Sequence, residues 1–495
     1  MKKAIVCGAG IGGMVSALAL SNKGYEVSIF EKNDYAGGKM GEFRKDGFRF
    51  DTGPSLITMP HVLSEFFASL GKRVEDYIEF QKLDISCRYF WSDGTVFDWY
   101  SDSEQLRNEM LKVFGEAETA GFDRCIKYGR KFYEISNEAF LEGEFRLRNF
   151  LSAEGLKNAT KFISGRSMND VSNKFFKDPK LKQLINRFAT YNGSSPYLAP
   201  QFFSIIPYTE HKYGPWYVKG GIYRIAEALQ KLCKESGIEI NFGKRLTKFE
   251  SAGGTLTKLF FADNNGNISE HEHFDLAVLN FTSMPEIMEN DYFSNDDWSS
   301  SGMILFAGIM RSNPSLAHHN IFFSDNYEKE FIDIFEKKIP AKDMTVYIST
   351  TSKNEPADAP HNCENWFVLV NVPFINEALS WDETSKARYA DAVVDKLNSF
   401  NFVFEGNIRD HIQFMDIFTP IDFKEKYGAE FGSIYGLSSN SLYTLMRRPK
   451  NRSARFTNLF FAGGNTHPGG GVPLCFLSGK IVAELATQDK TIIAK

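Results

Sequence analysis

The sequence predicts an α/β (α+β) protein whose main sheet is drawn from separated stretches of chain. Two observations carry this reading: a strand, glycine turn, helix and strand at the N-terminus, and a second strand, glycine turn and helix near the C-terminus. Residues 3–31 read KAIVCGAGIGGMVSALALSNKGYEVSIFE. The apolar run Ala4–Cys7 meets Gly8, Gly10 and Gly13, a helical pattern follows, and a second apolar run closes on Glu31. Gly8 permits a tight turn and Gly10 lets backbone approach a pyrophosphate. Gly13 lets helix and strand pack closely, with the helix N-terminus toward the phosphates. Glu31, eighteen residues past Gly13, is placed to accept a hydrogen bond from an adenosine ribose. A glycine turn with a purely structural role leaves Glu31 at that spacing unexplained. The unit is therefore Rossmann-like and predicts a bound dinucleotide.

The segment after Glu31 suggests which kind. It continues EKNDYAGGKMGEFRKDGFRFDTGPSLIT, with Lys32, the pair Gly37-Gly38, Lys39, and then Gly53, Pro54 and Ser55. Small residues and a basic side chain here suit a ligand that runs past its pyrophosphate to a second bulky ring. At the other end, residues 458–480 read NLFFAGGNTHPGGGVPLCFLSGK. The apolar run Leu459–Ala462 enters a stretch with six glycines between 463 and 479, then a helical pattern. Bare backbone approaching a second helix N-terminus suits a polar, partly anionic group.

Between these ends, residues 219–250 predict a glycine turn at Gly220-Gly221, an amphipathic helix over 223–236 stopped by Gly237, and strands over 238–242 and 245–250. Thr255–Asp263 and Asn267–Asn280 read as hairpin strands about an Asn-Asn-Gly-Asn turn. Cys87–Trp91 and Val96–Trp99 read as strands ahead of a helical region. Met303–Met310, Val346–Ser349 and Trp366–Asn371 are strand-like, and 382–400 is one long helical pattern. A discontinuous cofactor domain (1–70, 215–285 and 430–495) with an inserted substrate-binding β-sheet domain (71–100 and 286–429) and a helical region (101–214) accommodates this order.

A formal net charge of −5 argues against nucleic acid as a partner. The six cysteines are scattered with no C-x-x-C, and the chain enters a strand at residue 3, so a reduced cytoplasmic setting is expected. His271/His273 and His318/His319 lack metal-site spacing, and no metal is expected. No uncharged apolar run reaches 18 residues, so no membrane span is expected. The 46 phenylalanines are compatible with a large apolar cavity, an apolar patch, or simply well-filled cores. Residues 145–166 interleave five basic residues and one acidic residue with large apolar ones. This pattern suits either an anionic membrane surface or an amphipathic helix pair on the core.

Taken with the motifs above, the chain resembles the FAD amine-oxidase-like superfamily and, within it, the bacterial phytoene-desaturase-type carotenoid oxidoreductases. The resemblance rests on the N-terminal fingerprint through Ser55, Arg187–Pro196, the Lys219–Arg224 turn, and Thr466-His-Pro-Gly-Gly-Gly-Val-Pro473. FATYNGSSPYLAP (188–200) and GSIYGLSSNSLYTLMRRPKNRS (432–453) look most like the 1-hydroxycarotenoid 3,4-desaturase branch. The superfamily often has Gly-Asp where this chain has Gly463-Gly464, so the usual acidic contact to the ribityl hydroxyls is missing.

The resemblance implies non-covalent FAD held by Gly8, Gly10, Gly13, Glu31, Lys32, Gly38, Lys39, Gly53, Pro54, Ser55, Leu246, Gly463, Gly464, Gly471, Val472 and Pro473. It implies a long apolar carotenoid as substrate, hydride transfer to the flavin and loss of a proton from the neighbouring carbon, at a peripheral membrane surface. Because a polyene cation is a strong acid, a weak base suffices; Glu210 and His211 are the candidates, or else an ordinary polar loop. Tyr191, Asn192 and Ser195 either line a tunnel beside the flavin or form a turn, and His467 either shapes the flavin site or acts as a base. Competing readings are a phytoene desaturase, a flavin-dependent carotenoid isomerase, an amine oxidase and a non-redox prenyl-protein binder.

Overall fold

A computed structural model describes residues 1–136, 165–280 and 298–488. One part of the molecule is organised by a five-stranded parallel sheet in the order 459–461, 276–279, 2–7, 25–30, 239–241. Side chains alternate along each strand and so supply two different cores. Ala4, Val6, Ile29, Leu276, Val278 and Phe460 face helices Ile11–Asn22, Pro60–Ser69, Arg224–Glu235 and Val472–Gln488. Ile5, Cys7, Phe30, Ala277, Leu279 and Phe461 face a three-stranded antiparallel sheet of Arg245–Ala252, Thr255–Ala262 and Ile268–Glu272. Strands buried on both faces read as continuous apolar runs, which is why Ala4–Cys7 and Leu459–Phe461 are so plain in the sequence.

The expected strand over 267–280 divides in two. Ile268–Glu272 pairs with 258–262, whereas Leu276–Leu279 leaves that sheet and inserts between strands 2–7 and 459–461. The break falls at His273, a non-glycine residue at φ 59°, followed by Phe274 and Asp275. Asp275 fastens the new path, its amide donating to Lys3 O at 2.8 Å and its carboxylate accepting from Lys3 N at 2.7 Å.

The second large sheet has seven strands in the order 412–418, 301–309, 364–372, 346–349, 319–322, 85–90, 96–100. One face packs Met303, Leu305, Val368 and Val370 on helix Glu383–Asn398 through Val393, Val394 and Leu397. The opposite face carries Ile304, Phe306 and Phe367 with Phe48 and Phe50 of the hairpin 42–51. Beside this sheet, helices Ser103–Ser136 (broken at Gly115), Met168–Phe175, Pro179–Arg187 and Ile205–Tyr213 enclose a third core with Trp99 and Phe188.

A buried ion cluster ties the hairpin to the sheet. Arg49 lies 2.5 Å from Glu42, 2.5 Å from Asp51 and 3.1 Å from Asp358. Asp51 also accepts from the Ile222 amide, beside the Gly220-Gly221 turn.

Most of the phenylalanines fill these cores; among the described phenylalanines only Phe402 is an exposed large apolar side chain. The chemical setting of the charged 145–166 stretch lies almost wholly outside the described residues. Among the described residues no helix is long and apolar enough to cross a membrane.

Candidate functional site

A cavity of about 940 Å³ runs from the carboxyl ends of the parallel strands to one face of the seven-stranded sheet. The first end is built from backbone. Gly8 N donates to Phe30 O at 2.7 Å, and Gly37 N donates to Ala9 O at 2.8 Å, which lays the 37–38 loop against the 8–10 turn. Gly10 is the N-cap of helix Ile11–Asn22 and offers no side-chain cap, so the first-turn amides remain available to a ligand.

These turns close around Asn280, whose amide donates to Cys7 O and whose Nδ2 donates to Ala462 O at 2.8 Å. A Cβ on Gly10 would sit 2.4 Å from Asn280 Oδ1, and one on Gly463 would sit 2.2 Å from Asn280 Nδ2. A Cβ on Gly13 would sit 2.1 Å from Gly8 O, so Gly13 serves the helix–strand contact and does not line the cavity. Asn280 escaped the sequence reading. The available signal was its place, just beyond the carboxyl end of a parallel strand, where ligands of open α/β sheets bind.

All the other residues expected to hold the cofactor line this cavity: Gly8, Gly10, Glu31, Lys32, Gly38, Lys39, Gly53, Pro54, Ser55, Leu246, Gly463, Gly464, Gly471, Val472 and Pro473. Glu31 is 5% exposed and accepts from Ala9 N at 2.7 Å and Asn33 N at 2.9 Å. Burial pushes its carboxyl up, and the Asn33 and Ala9 amides oppose that. Lys32, Lys244 and Arg245 give the same end a basic rim. Lys39 reaches the 463–475 turn, donates to Ile434 O, and is brought down to about 8 by burial.

The cavity's other end is built from side chains. The seven-stranded sheet and its flanks contribute Ile304, Ile321, Thr345, Tyr347, Phe367, Leu369 and Asn371, without a charged group among them. Tyr347 Oη is 2.5 Å from Ser55 Oγ and 2.8 Å from His319 Nδ1. Burial, reinforced by His318 and Arg187, holds His319 well below the ordinary histidine value, so its ring is neutral.

The sequence candidates around residue 190 separate. Tyr191 lines the cavity and donates to Glu210, which is 2% exposed and reaches the cavity only through that tyrosine. Burial raises the Glu210 carboxyl, opposed by Arg187 and Tyr191. Glu210 and His211 lie on helix Ile205–Tyr213, not in a loop, and successive helical residues cannot share one direction. His211 accordingly packs edge-on against Phe122, 5.8 Å between centroids, away from the cavity. Asn192 and Ser195 are drawn into the turn instead: Asn192 Nδ2 donates to Ser439 Oγ and Ser195 N donates to Asn440 Oδ1, both at 2.8 Å. His467 is buried behind the glycine turn with its amide donating to Pro449 O at 3.0 Å, and it does not line the cavity.

The chain has relatives among known proteins. Residues 11–282 match the family described as flavin-containing amine oxidoreductase. A 1-hydroxycarotenoid 3,4-desaturase from Flavobacterium sp. is 37% identical over 98% of this chain and 99% of its own length. The chain belongs to this flavin-containing family. Within the family it groups with bacterial carotenoid desaturases and oxygenases, since a 4,4'-diapolycopene oxygenase from Methylomonas sp. is also 34% identical over 99% of this chain and 98% of its own length. The fold extends to a putrescine oxidase solved with putrescine, at TM-score 0.63 and 11% identity, covering 99% of each chain. The protein is an FAD oxidoreductase, and its residues fit the cofactor: uncapped amides and glycine backbone for a pyrophosphate, Glu31 for a ribose, and Lys39 with the 463–473 turn for the ring system.

Proposed function

We propose that the protein is a carotenoid desaturase that introduces a C=C bond into an acyclic carotenoid end, in particular a 1-hydroxylated end that gains a 3,4 double bond. The observation that carries this is the continuity of one cavity from the glycine cradle to a sheet wall of Ile304, Ile321, Phe367 and Leu369 without a carboxylate. Such a wall suits a hydrocarbon chain, and the carboxylates that line the cavity, Glu31, Glu425 and Glu430, belong to other elements. FAD, when bound, supplies the acceptor for the two electrons and one hydrogen removed, and the second hydrogen leaves as a proton. The sheet wall holds the chain in one orientation and excludes water. Tyr347 Oη takes the departing proton while passing its own to His319 Nδ1, in the tautomer that carries its hydrogen on Nε2; burial makes His319 a weak base, which suffices for the strongly acidic proton of a polyene cation.

The full-length similarity to a protein named as an oxygenase favours a second reading, insertion of oxygen at a chain end. The test is a competition between a 1-hydroxylated acyclic carotenoid and its deoxy analogue. Preferential turnover of the hydroxylated end with a red-shifted product supports the 3,4-desaturase reading, and equal turnover or preference for phytoene moves the protein to the general phytoene-desaturase branch.

We further infer a cytoplasmic location at a membrane surface. The six free cysteines suit a reducing compartment, and a membrane-dissolved substrate gives the basic, apolar 145–166 stretch a use. Replacing Arg146, Arg148 and Lys157 with Glu should release the protein from anionic liposomes in sedimentation; undiminished binding would overturn the role of this segment.

A further inference from the structure

We propose that Arg187, with Tyr191 and Tyr327, forms a recognition site for a neutral oxygen, a hydroxyl or carbonyl, at the end of the chain that enters the cavity. The proposal deepens the carotenoid reading and rests on it for the identity of that chain.

Arg187 closes helix Pro179–Arg187, lines the cavity and is 8% exposed. A guanidinium carries five N–H donors and no acceptor. Among the described residues its side chain makes one hydrogen bond, a long one from Nη1 to Tyr191 Oη at 3.4 Å. Its other neighbours are ring faces: Tyr191, Tyr89 and Phe188 at 5.0, 5.9 and 6.0 Å from the guanidinium carbon. Among the described residues no ion pair within 4 Å reaches it; Glu210 acts on it through charge and is linked to it by hydrogen bonds through the Tyr191 hydroxyl.

A second buried polar atom, Tyr327 Oη, lacks a partner among the described residues. Tyr327 also lines the cavity. Buried donors left unfilled are costly, and two of them, on Arg187 and Tyr327, lining the same cavity are explained by a ligand that supplies lone pairs. A hydrocarbon end cannot do so. A carboxylate could, but it would place a second anion beside Glu210 with one cation between them, in a desolvated site. A neutral oxygen satisfies Arg187 and Tyr327 without that conflict.

The experiment uses four polyenes of equal length, retinol, retinal, retinoic acid and the hydrocarbon axerophthene, titrated into the FAD-loaded protein and followed by quenching of tryptophan emission. The wild type should bind retinol or retinal about tenfold more tightly than axerophthene, and more tightly than retinoic acid. Arg187→Met should erase that advantage while leaving axerophthene affinity unchanged. Tyr327→Phe, which removes a single oxygen, should reduce the advantage and serves alone if Arg187→Met fails to fold. Equal binding of all four polyenes, tightest binding of retinoic acid, or selectivity unchanged in the variants that fold would overturn the proposal. Selective binding without oxidation of any carotenoid would instead refute the functional reading and leave the end site standing.

Discussion

The two ends of the cavity are made of different materials. At the parallel sheet, Gly8, Gly10, Gly463 and the first amides of helix Ile11–Asn22 present backbone, packed around the single side chain of Asn280. At the seven-stranded sheet, the wall consists of side chains from strands 301–309, 319–322, 346–349 and 364–372, drawn from separate parts of the sequence. A backbone-built end tolerates no added atoms, because its shape depends on missing Cβ atoms. A side-chain-built end can change its selectivity one residue at a time. The first suits a cofactor common to a whole family, and the second suits a substrate that differs between relatives.

The contrast can be broken most directly at Gly10. A Gly10→Val side chain would drive into Asn280 Oδ1 and against the space for the pyrophosphate. The purified variant should lose essentially all its FAD, read from the flavin absorption bands, while its circular dichroism stays that of a folded α/β protein. Full flavin occupancy would show that the glycine end does not bind cofactor.

A smaller effect is expected at the opposite end. Tyr347→Phe removes the hydroxyl between Ser55 and His319 and leaves the ring in place. Flavin content should be unchanged and kcat should fall by about 10²-fold, the usual contribution of a positioned acid–base group. An unaltered kcat would take the proton relay out of the account.

The smallest effect concerns stability in the sheet half. Glu330 is 1% exposed, accepts from Ser324 and Thr345, and is pushed up by burial to about 7 from its ordinary 4.5. Between those values the native state holds a proton that the unfolded chain has released. Stability therefore falls as pH rises through this window, by up to about 1.4 kcal/mol per pH unit, and levels off above it. Denaturant titrations from pH 4.5 to 8 should show this slope in the wild type and a flatter profile in Glu330→Gln. Parallel profiles would show that Glu330 does not titrate in the native state as its burial implies.

The same difference of materials decides what the sequence discloses. Gly8, Gly10, Gly13 and Glu31 lie within 24 residues of one another, and their spacing expresses a backbone requirement, so the parallel sheet's edge could be read directly. Tyr347, His319 and Ser55 meet only because three distant segments fold together, and no local pattern marks them. Adjacent polar residues misled for the converse reason: Glu210 and His211 are neighbours in sequence, but helix Ile205–Tyr213 turns one toward Tyr191 and the other toward Phe122. The strand over 267–280 read as continuous because neither glycine nor proline separates the alternating 268–272 from the wholly apolar 276–279; the break at His273 and Asp275's bonds to Lys3 mark the change of sheet. The phenylalanine excess proved mostly core filling, with Phe30, Phe367 and Phe423 the phenylalanines that reach the cavity among the described residues.

The proposed reaction is the removal of two hydrogens from a carotenoid end that the sheet wall presents to FAD. Its most direct test is the mass of the product formed when the FAD-loaded protein meets a 1-hydroxylated acyclic carotenoid in liposomes under strictly anaerobic conditions, with enzyme in excess of substrate. A product lighter by two hydrogens is expected, formed as the flavin absorption bleaches. An unchanged mass, or a requirement for oxygen together with an oxygen atom gained, would contradict it.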